Sequence, residues 1–198
     1  MKVGVLALQG DVREHISALV ACGVNPIAVR RSSEIDRIDA LVLPGGESTT
    51  IAQLSEVFGI YDHIRGRIAA GMPVYGSCAG MILLANEILD AKKNQKSFGG
   101  LDITVRRNAF GRQVDSFESD ISFDDGSADL IRAVFIRAPW VERVGDGVQV
   151  LAAVDKHPVA VRSQTLLATS FHPEITGDHR VHRYFIEEVA RPALEKVK

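Results

Sequence analysis

Cys78 lies in a segment whose spacing is typical of a catalytic nucleophile. The run from Val74 to Met81 reads VYGSCAGM, so an apolar strand passes into a helix through Gly-x-Cys-x-Gly. This is the pattern of a nucleophile elbow, with sulfur in place of oxygen. The two glycines allow a cramped turn that pushes the side chain outward, and the start of a helix favours a thiolate. The segment indicates a cysteine enzyme; a small buried thiol at a tight turn is the alternative.

A histidine that can act as the base follows another apolar run. Residues 166–171 end at His172, and Pro173 biases that histidine toward an extended conformation. Side chains two residues apart in an extended segment face the same way, so Glu174 is expected to accept from one imidazole nitrogen while the other faces Cys78. An isolated His-Pro-Glu would also suit a surface turn. Because catalytic groups of open α/β sheets gather at the carboxyl ends of strands, the sequence predicts a Cys-His-Glu triad.

A glycine-rich loop follows a third apolar run. Residues 43–48 read LPGGES, and two glycines after a buried strand let backbone N–H groups approach a ligand closely. The predicted oxyanion donors are the backbone N–H groups of Gly46 and of Ala79, the residue after the nucleophile. A plain tight turn would use the same residues. A Walker phosphate loop is excluded because no Gly-Lys-Ser/Thr follows.

The order of apolar runs predicts an α/β fold. Strands are expected at 3–8, 26–29, 40–43 and just before Cys78, and helices at 11–22, 48–58, 61–70 and from about Ala79 onward. An amphipathic helix over 179–196 closes the chain. Later segments predict antiparallel or mixed strands appended to a parallel core: 102–106, 117–123, 133–137, 148–154, 159–161 and 166–171.

Length and composition predict one domain over residues 1–198 in the cytoplasm. A chain of 198 residues with 46% hydrophobic residues can bury roughly 70% of its unfolded surface. A formal charge of -2 gives no reason to expect nucleic acid or an anionic membrane as partner. Cys22 and Cys78 are too few for a disulfide framework, and the first apolar run is too short for a signal peptide or membrane span.

The remaining histidines do not predict a metal site. His15, His63 and His157 have no cysteines or carboxylates at ligand spacing. His179 and His182 are three residues apart on the closing helix and could touch one metal, but a solvated helix end is the favoured interpretation. Neither a metal nor a cofactor is therefore expected.

Together these segments resemble the class I (triad) glutamine amidotransferases, and within them the glutaminase subunits of pyridoxal 5'-phosphate synthase. The resemblance covers essentially the whole chain. It implies a three-layer, flavodoxin-like fold with a mostly parallel central sheet and added antiparallel strands. The motifs that carry it are Leu6 to Asp11, Leu43 to Thr50, Gly76 to Gly80, Arg107 to Gln113, Phe135 to Pro139 and Phe171 to Glu174.

The resemblance also implies an activity and a partner. It implies hydrolysis of L-glutamine to L-glutamate and ammonia, and delivery of the ammonia to the synthase subunit of pyridoxal 5'-phosphate synthase. Gln9, Gly10 and Asp11 are expected near that subunit. The glutaminase subunit of imidazole glycerol phosphate synthase and a non-glutaminase cysteine hydrolase of similar fold are the alternatives. The implied substrate-binding residues are Gly46, Glu47, Ser48, Arg107, Ile136 and Arg137.

Overall fold

The protein, described here by a computed structural model for residues 1–107, 109 and 116–196, is built on a central sheet. The strands are β1 Lys2–Leu6, β2 Asn25–Val29, β3 Ala40–Leu43, β4 Val74–Ser77, β5 Ala85–Leu89, β6 Leu101–Arg106, β7 Ser116–Ile121, β8 Ile131–Ile136, β9 Trp140–Val144, β10 Gln149–Val154, β11 His157–Arg162 and β12 Leu166–Thr169. The α-helices are α1 Val12–Ala21, α2 Ser32–Ile35, α3 Ser48–Val57, α4 Tyr61–Ala69, α5 Ala79–Leu84, α6 Arg180–Tyr184 and α7 Arg191–Glu195.

The central sheet is mostly parallel, as predicted. Its strand order is β10-β11-β12-β4-β3-β1-β2, in which β12, β4, β3, β1 and β2 run parallel. The strands β11 and β10 are added through antiparallel pairings, β11 with β12 and β10 with β11. One assignment differs from the sequence prediction, since β12 belongs to the parallel core, paired with β4, rather than to the appended strands. Every residue of β12 is buried, so its short apolar run reads as a central strand.

Two smaller sheets accompany the central one. The strands β5 and β9, which the sequence analysis missed, flank β6 in a three-stranded sheet, and β7 pairs with β8. The helix predicted from Ala79 is short, because the chain turns into β5 at Ala85. No helix among the described residues is both long enough and apolar enough to cross a membrane.

The closing helix is interrupted by a π-helical segment over Phe185–Ala190 between α6 and α7. Pro192 lies in the first turn of α7, where it has no N–H to donate and its ring crowds the carbonyl four residues earlier. That carbonyl belongs to Glu188, and it accepts a hydrogen bond of 3.2 Å from the Arg162 guanidinium instead. The helix therefore accommodates its proline through a wider turn.

Helices cover both faces of the central sheet, which gives the expected three layers. One buried cluster includes Ile51 of α3 and Ile64 of α4. The other includes Leu19 of α1 and Phe185 of the closing helix. The carboxyl ends of β1, β3, β4 and β12 lie side by side in this arrangement, so the segments that follow them meet at one edge.

Candidate active site

Cys78 occupies a strained elbow between β4 and α5. Its backbone has φ 49° and ψ −98°, a conformation that L-residues rarely adopt. Its N–H donates to the carbonyl of Thr169 on β12 at 2.8 Å, which ties the elbow to the neighbouring strand. The cysteine itself therefore carries the unusual backbone conformation at this turn.

The two flanking glycines are needed for space rather than for backbone freedom. A Cβ at Gly76 would overlap the carbonyl group of Gly80, and a Cβ at Gly80 would overlap the carbonyl oxygen of Leu43. Neither glycine is among the residues with positive φ. The Gly-x-Cys-x-Gly spacing thus lets β4, α5 and β3 pack closely beneath Cys78.

The structure brings His172 and Glu174 to Cys78. His172 and Cys78 line the same cleft, and Nδ1 of His172 lies 2.8 Å from Oε1 of Glu174. The main-chain N–H of His172 donates to Val134 of β8 at 2.9 Å. The sequence argument expected an extended segment here, which is wrong: Pro173–Ile175 is a 3-10 turn, and the turn carries Glu174 under the imidazole.

Burial and hydrogen bonds set the charge states of this pair. Burial alone would lower the pKa of His172, but hydrogen bonds to Asp11, Cys78 and Glu174 raise it to about 12. Burial alone would raise the pKa of Glu174, but the rings of His15 and His172 hold it below its ordinary value. The carboxylate is therefore charged, and His172 is an imidazolium in the neutral pH range.

Asp11 is a second carboxylate at the histidine, and the sequence analysis did not find it. Its Oδ2 lies 3.4 Å from Nδ1 of His172, with 40% of its side chain exposed. The main-chain N–H of Asp11 donates to Gly45 at 3.3 Å. Asp11 follows the carboxyl end of β1, so the strand-end rule that found Cys78 and His172 also points to this residue.

The sequence-predicted residues line one cleft of about 540 Å³. Glu174 is the exception, since it is buried behind His172 with no side-chain exposure. Cys78 is only 7% exposed and lies within this cleft. The lining residues that were predicted are Gly46, Glu47, Ser48, Cys78, Ala79, Arg107, Ile136, Arg137 and His172, and those that were not assigned to the site are Gln9, Asp11, Ile82 and Lys92.

The glycine-rich loop is held in place by Gln9. Oε1 of Gln9 accepts from the main-chain N–H of Glu47 at 2.8 Å. Gly46 has φ +145°, and a Cβ there would overlap the Gln9 amide. The Gln9 side chain therefore lies against the loop that carries the predicted oxyanion donor, and its expected position near a partner chain stays a prediction.

Glu47 is a fixed negative charge at the cleft. Its carboxylate accepts from the main-chain N–H of Thr50 at 2.7 Å and so caps α3. Partial burial would raise its pKa, but hydrogen bonds from Thr50 and Lys92 lower the pKa to about 2. Glu47 is therefore ionised throughout the neutral range and suited to an ammonium group.

Arg107 pairs with Glu47 across the cleft. Its guanidinium lies 3.1 Å from Oε1 of Glu47 and also hydrogen-bonds the side-chain oxygen of Gln95. The Gln95 amide in turn donates to the Ser48 hydroxyl at 2.8 Å. Nothing in the sequence pattern indicated Gln95. An amino acid entering here would exchange the Glu47–Arg107 pair for contacts with its own charged groups.

The end of β8 closes the other side of the cleft. The carbonyl oxygen of Ile136 lies 3.9 Å from the Cys78 sulfur, and Arg137 takes a left-handed backbone conformation with φ 45°. The motif from Arg107 to Gln113 is described only at Arg107 and Ala109. The predictions that concern its other members fall outside the described residues.

Asp11, His172 and Glu174 place ligand-type atoms within 4.8 Å of one another. Nδ1 of His172, the atom between the two carboxylates, already has a carboxylate partner at 2.8 Å. A cation at this point would have to displace that hydrogen bond. The arrangement fits an oriented imidazolium, and the absence of a metal site stays a prediction.

Comparison with known proteins agrees with the fold and identifies a family. The sequence pattern of the SNO glutamine amidotransferase family matches residues 5–191. Pyridoxal 5'-phosphate synthase subunit PdxT of Nocardia farcinica is 62% identical over 195 residues, covering 94% of this chain and 85% of the relative. The protein of the same name from Mycobacterium ulcerans is 60% identical over 191 residues, covering 95% of this chain and 96% of the relative.

Solved structures agree as well. One described as a crystal structure of glutamine amidotransferase has a TM-score of 0.87 at 49% identity, covering 93% of this chain and 97% of that one. A putative GMP synthase protein from Thermoplasma acidophilum shares the fold, with a TM-score of 0.70 at 19% identity over 100% of this chain and 98% of that one. The family match, the close relatives and the fold agree, and the chain belongs to the SNO glutamine amidotransferase family.

Proposed function

We propose that this chain hydrolyses the side-chain amide of L-glutamine to L-glutamate and ammonia. Cys78 is the nucleophile, His172 carries the proton and Glu174 orients the histidine. The observation that carries the proposal is the strained Cys78 in a cleft that it shares with His172, a histidine whose Nδ1 contacts a buried carboxylate. This arrangement is that of an activated thiol nucleophile.

The reaction proceeds in two halves. The Cys78 thiolate adds to the amide carbon, and the oxygen that becomes negative is received by the main-chain N–H groups of Gly46 and Ala79. The C–N bond then breaks as His172 gives its proton to the nitrogen, so ammonia leaves and a γ-glutamyl thioester remains. Water gives a proton to His172, attacks the thioester and breaks the C–S bond, which releases glutamate. Each oxyanion donor contributes about 3 to 4 kcal/mol in the transition state.

The charged groups of the cleft suit an α-amino acid. The Arg107 guanidinium offers two parallel donors to the α-carboxylate, and Glu47 accepts from the α-ammonium. Ser48, Ile136 and Arg137 complete the contacts around the head group. Support comes from the position of all five on the same cleft as Cys78.

The ammonia goes to a synthase that builds pyridoxal 5'-phosphate. Ammonia released into bulk water becomes protonated and loses its nucleophilicity, so the acceptor enzyme has to dock over the cleft. Relatives with 57 to 62% identity that are named as subunits of pyridoxal 5'-phosphate synthase favour this partner over imidazole glycerol phosphate synthase. A single domain over residues 1–198 and a cytoplasmic location remain part of the proposal; free thiols at Cys22 and Cys78 are consistent with the latter.

A pairing assay tests the function. The chain is incubated with glutamine alone, with the synthase subunit of pyridoxal 5'-phosphate synthase, and with the synthase subunit of imidazole glycerol phosphate synthase, and glutamate release is measured. We expect turnover with the first synthase, and incorporation of glutamine amide nitrogen into pyridoxal 5'-phosphate. Turnover supported only by the second synthase would contradict the proposed pathway, and no glutamate in any mixture would contradict the glutaminase activity.

Replacing Arg107 by alanine is expected to weaken glutamine binding. Loss of a charge-assisted pair raises KM by about 10- to 100-fold and changes kcat by less than about threefold. The matched control is Arg106→Ala, because the Arg106 guanidinium turns away from the cleft to Asp90 and Glu142. A normal KM with a reduced kcat in Arg107→Ala would contradict the binding role.

Adding one methyl group at Gly45 is expected to disturb the histidine. A Cβ there would overlap Cε1 of His172 and lie 2.8 Å from its Nδ1. Displacing a catalytic ring by a few tenths of an ångström to 1 Å lowers kcat by about 10- to 100-fold. Gly66→Ala on α4 is the control, since a Cβ there meets nothing within 4 Å. Full activity of Gly45→Ala would argue against His172 as the proton carrier.

A further inference from the structure

Two fully buried histidines lie behind the Glu174 carboxylate. His15 comes from α1 and His182 from α6, and both side chains have no exposure to solvent. The expectation of a solvated helix end for His182 is wrong, because α6 packs against α1. Buried imidazoles are uncommon unless their nitrogens have partners, so their contacts carry information.

The two rings extend the row of contacts that starts at Cys78. Nε2 of His15 lies 3.5 Å from Oε1 of Glu174, and Nδ1 of His15 lies 2.9 Å from Nε2 of His182. The Tyr75 ring meets both imidazoles at steep angles of 80° and 88°, which encloses the pair in the core. A row of neighbouring side chains therefore leads from Cys78 through His172, Glu174 and His15 to His182.

The Glu174 carboxylate determines which ring nitrogens of His15 and His182 carry hydrogens. Ionised Glu174 only accepts hydrogen bonds, so the His15 nitrogen that faces it, Nε2, has to carry the hydrogen. A neutral His15 then has a bare Nδ1, and His182 donates to it from its own Nε2. Two ring nitrogens of the pair have no hydrogen-bond partner among the described residues: Nε2 of His15, which lies 3.5 Å from the Glu174 oxygen, and Nδ1 of His182, which in this assignment is an acceptor without a hydrogen.

The opposite placement of hydrogens on His15 and His182 produces two unfavourable contacts. With the hydrogen on Nδ1 of His15, the bare Nε2 would point its lone pair at a carboxylate oxygen. His182 would then hold its hydrogen on Nδ1, which has no partner in the core. A buried N–H without an acceptor costs about 1 to 3 kcal/mol, so this arrangement is disfavoured.

Burial also keeps both rings neutral. It lowers the pKa of His15, although Glu174 and Asp11 act in the opposite direction. It lowers the pKa of His182 well below the ordinary value, and the neighbouring His15 and His179 lower it further. A neutral His15 is what the tautomer argument requires.

Glu174 has few other donors. Nδ1 of His172 donates to Oε1, and the main-chain N–H of Glu174 interacts with its own carboxylate. The single hydroxyl hydrogen of Ser77 is shared among Oε1 at 3.3 Å, Oε2 at 3.1 Å and the Phe171 carbonyl at 3.2 Å. A buried carboxylate needs several donors to remain charged and fixed. His15 is the neighbour that can supply another.

We propose that His15 is a positioning residue for glutamine hydrolysis, which donates from Nε2 to Glu174 and is itself held in that tautomer by His182. The inference rests on the proposed function, because it assigns to Glu174 the task of orienting His172. It links the closing helix of the chain, through α1, to the nucleophile.

A matched pair of substitutions tests the donor. Glutamine places an amide N–H close to the position of an imidazole Nε2, whereas methionine has similar length and no donor. In the whole chain assayed with its synthase, we expect His15→Met to lower kcat by about 10- to 100-fold with KM within about twofold. We expect His15→Gln to stay within about fivefold of the parent. Equal losses in the two variants, or full activity of His15→Met, would overturn the proposal.

A double-mutant comparison separates positioning from folding. If His15 acts through Glu174, adding His15→Met to Glu174→Ala lowers kcat by less than about twofold beyond Glu174→Ala alone. A residue that only supports the fold would lower activity by the same factor in both backgrounds. Additive losses would therefore reject the inference.

The tautomers are measured without any activity assay. Nitrogen-15 spectra of the imidazole rings in the full chain are expected to show His15 and His182 both neutral with hydrogen on Nε2, assigned by the signals lost in His15→Gln and His182→Gln. Hydrogen on Nδ1 of His15 would overturn the proposal even if glutamine is hydrolysed. If the protein gives the expected spectrum but releases no glutamate from glutamine, the His15–Glu174 contact is supported and the proposed function is rejected.

Discussion

Cys78→Ala is expected to abolish glutamate release, with a fall in kcat of about 10⁴-fold or more in the presence of the synthase. Alanine keeps the β-carbon that the elbow accommodates but removes the sulfur that forms the thioester. The fold should persist, because the polar contact of the Cys78 sulfur within the described part of the chain is a long one, 3.9 Å to the Ile136 carbonyl. Glutamine turnover and the unfolding temperature are measured on the same preparation.

The other cysteine supplies the control. Cys22 lies at the end of α1, with its sulfur 3.7 Å from the His179 carbonyl oxygen, so Cys22→Ala should leave turnover within about twofold. A glutamine-like electrophile followed by mass mapping gives a second measurement and should label Cys78. Residual glutamate release by Cys78→Ala at the parent rate, or labelling confined to Cys22, would contradict the assignment of the nucleophile.

His172→Asn is expected to lower kcat by about 10³-fold or more. The asparagine amide can still donate to Glu174 from roughly the place of Nδ1, but it has no basic nitrogen to exchange a proton with Cys78 or with the leaving ammonia. Because glutamine binding relies on other residues, KM should change by less than about threefold. Steady-state kinetics with the synthase present give both constants.

His63→Asn is the matched control for this substitution. His63 lies on α4 with Nε2 2.9 Å from an Asp36 carboxylate oxygen; the His63 side chain is half-buried and that of Asp36 is exposed. Its replacement should change kcat by less than about twofold. If His63→Asn and His172→Asn behaved alike, His172 would have no special part in proton transfer.

The loop contacts give the free cleft a defined resting state. The Gln9 side chain accepts a hydrogen bond from the main-chain N–H of Glu47, and Arg107 forms an ion pair with the Glu47 carboxylate. Glutamine has to replace the second contact before its head group is held. We expect discrimination against amides that lack an α-ammonium and an α-carboxylate, because those ligands have no charged groups to replace the Glu47–Arg107 contact.

Local sequence alone was enough to propose the reacting residues. The glycines around Cys78, the strand before His172 and the two glycines before Glu47 each marked a strand end, and strand ends of a parallel sheet meet at one edge. Residue spacing therefore specified the elbow and the approximate fold. The motifs were also sufficient to identify the family, which the comparisons confirm.

Contacts between residues distant in the sequence depended on the tertiary structure. The strand-end rule brings Asp11 and His172 to one edge, but no local pattern predicts that their side chains meet. Nor does one predict the contacts of His15 with Glu174 and His182, because these residues are far apart along the chain. Pro192 explains the π-helical interruption of the closing helix, but the hydrogen bond that the Glu188 carbonyl accepts comes from Arg162 on β11. Periodicity reports which face of an element is apolar; which polar groups meet once those faces are buried is decided by packing, because only the assembled core fixes the distances between them.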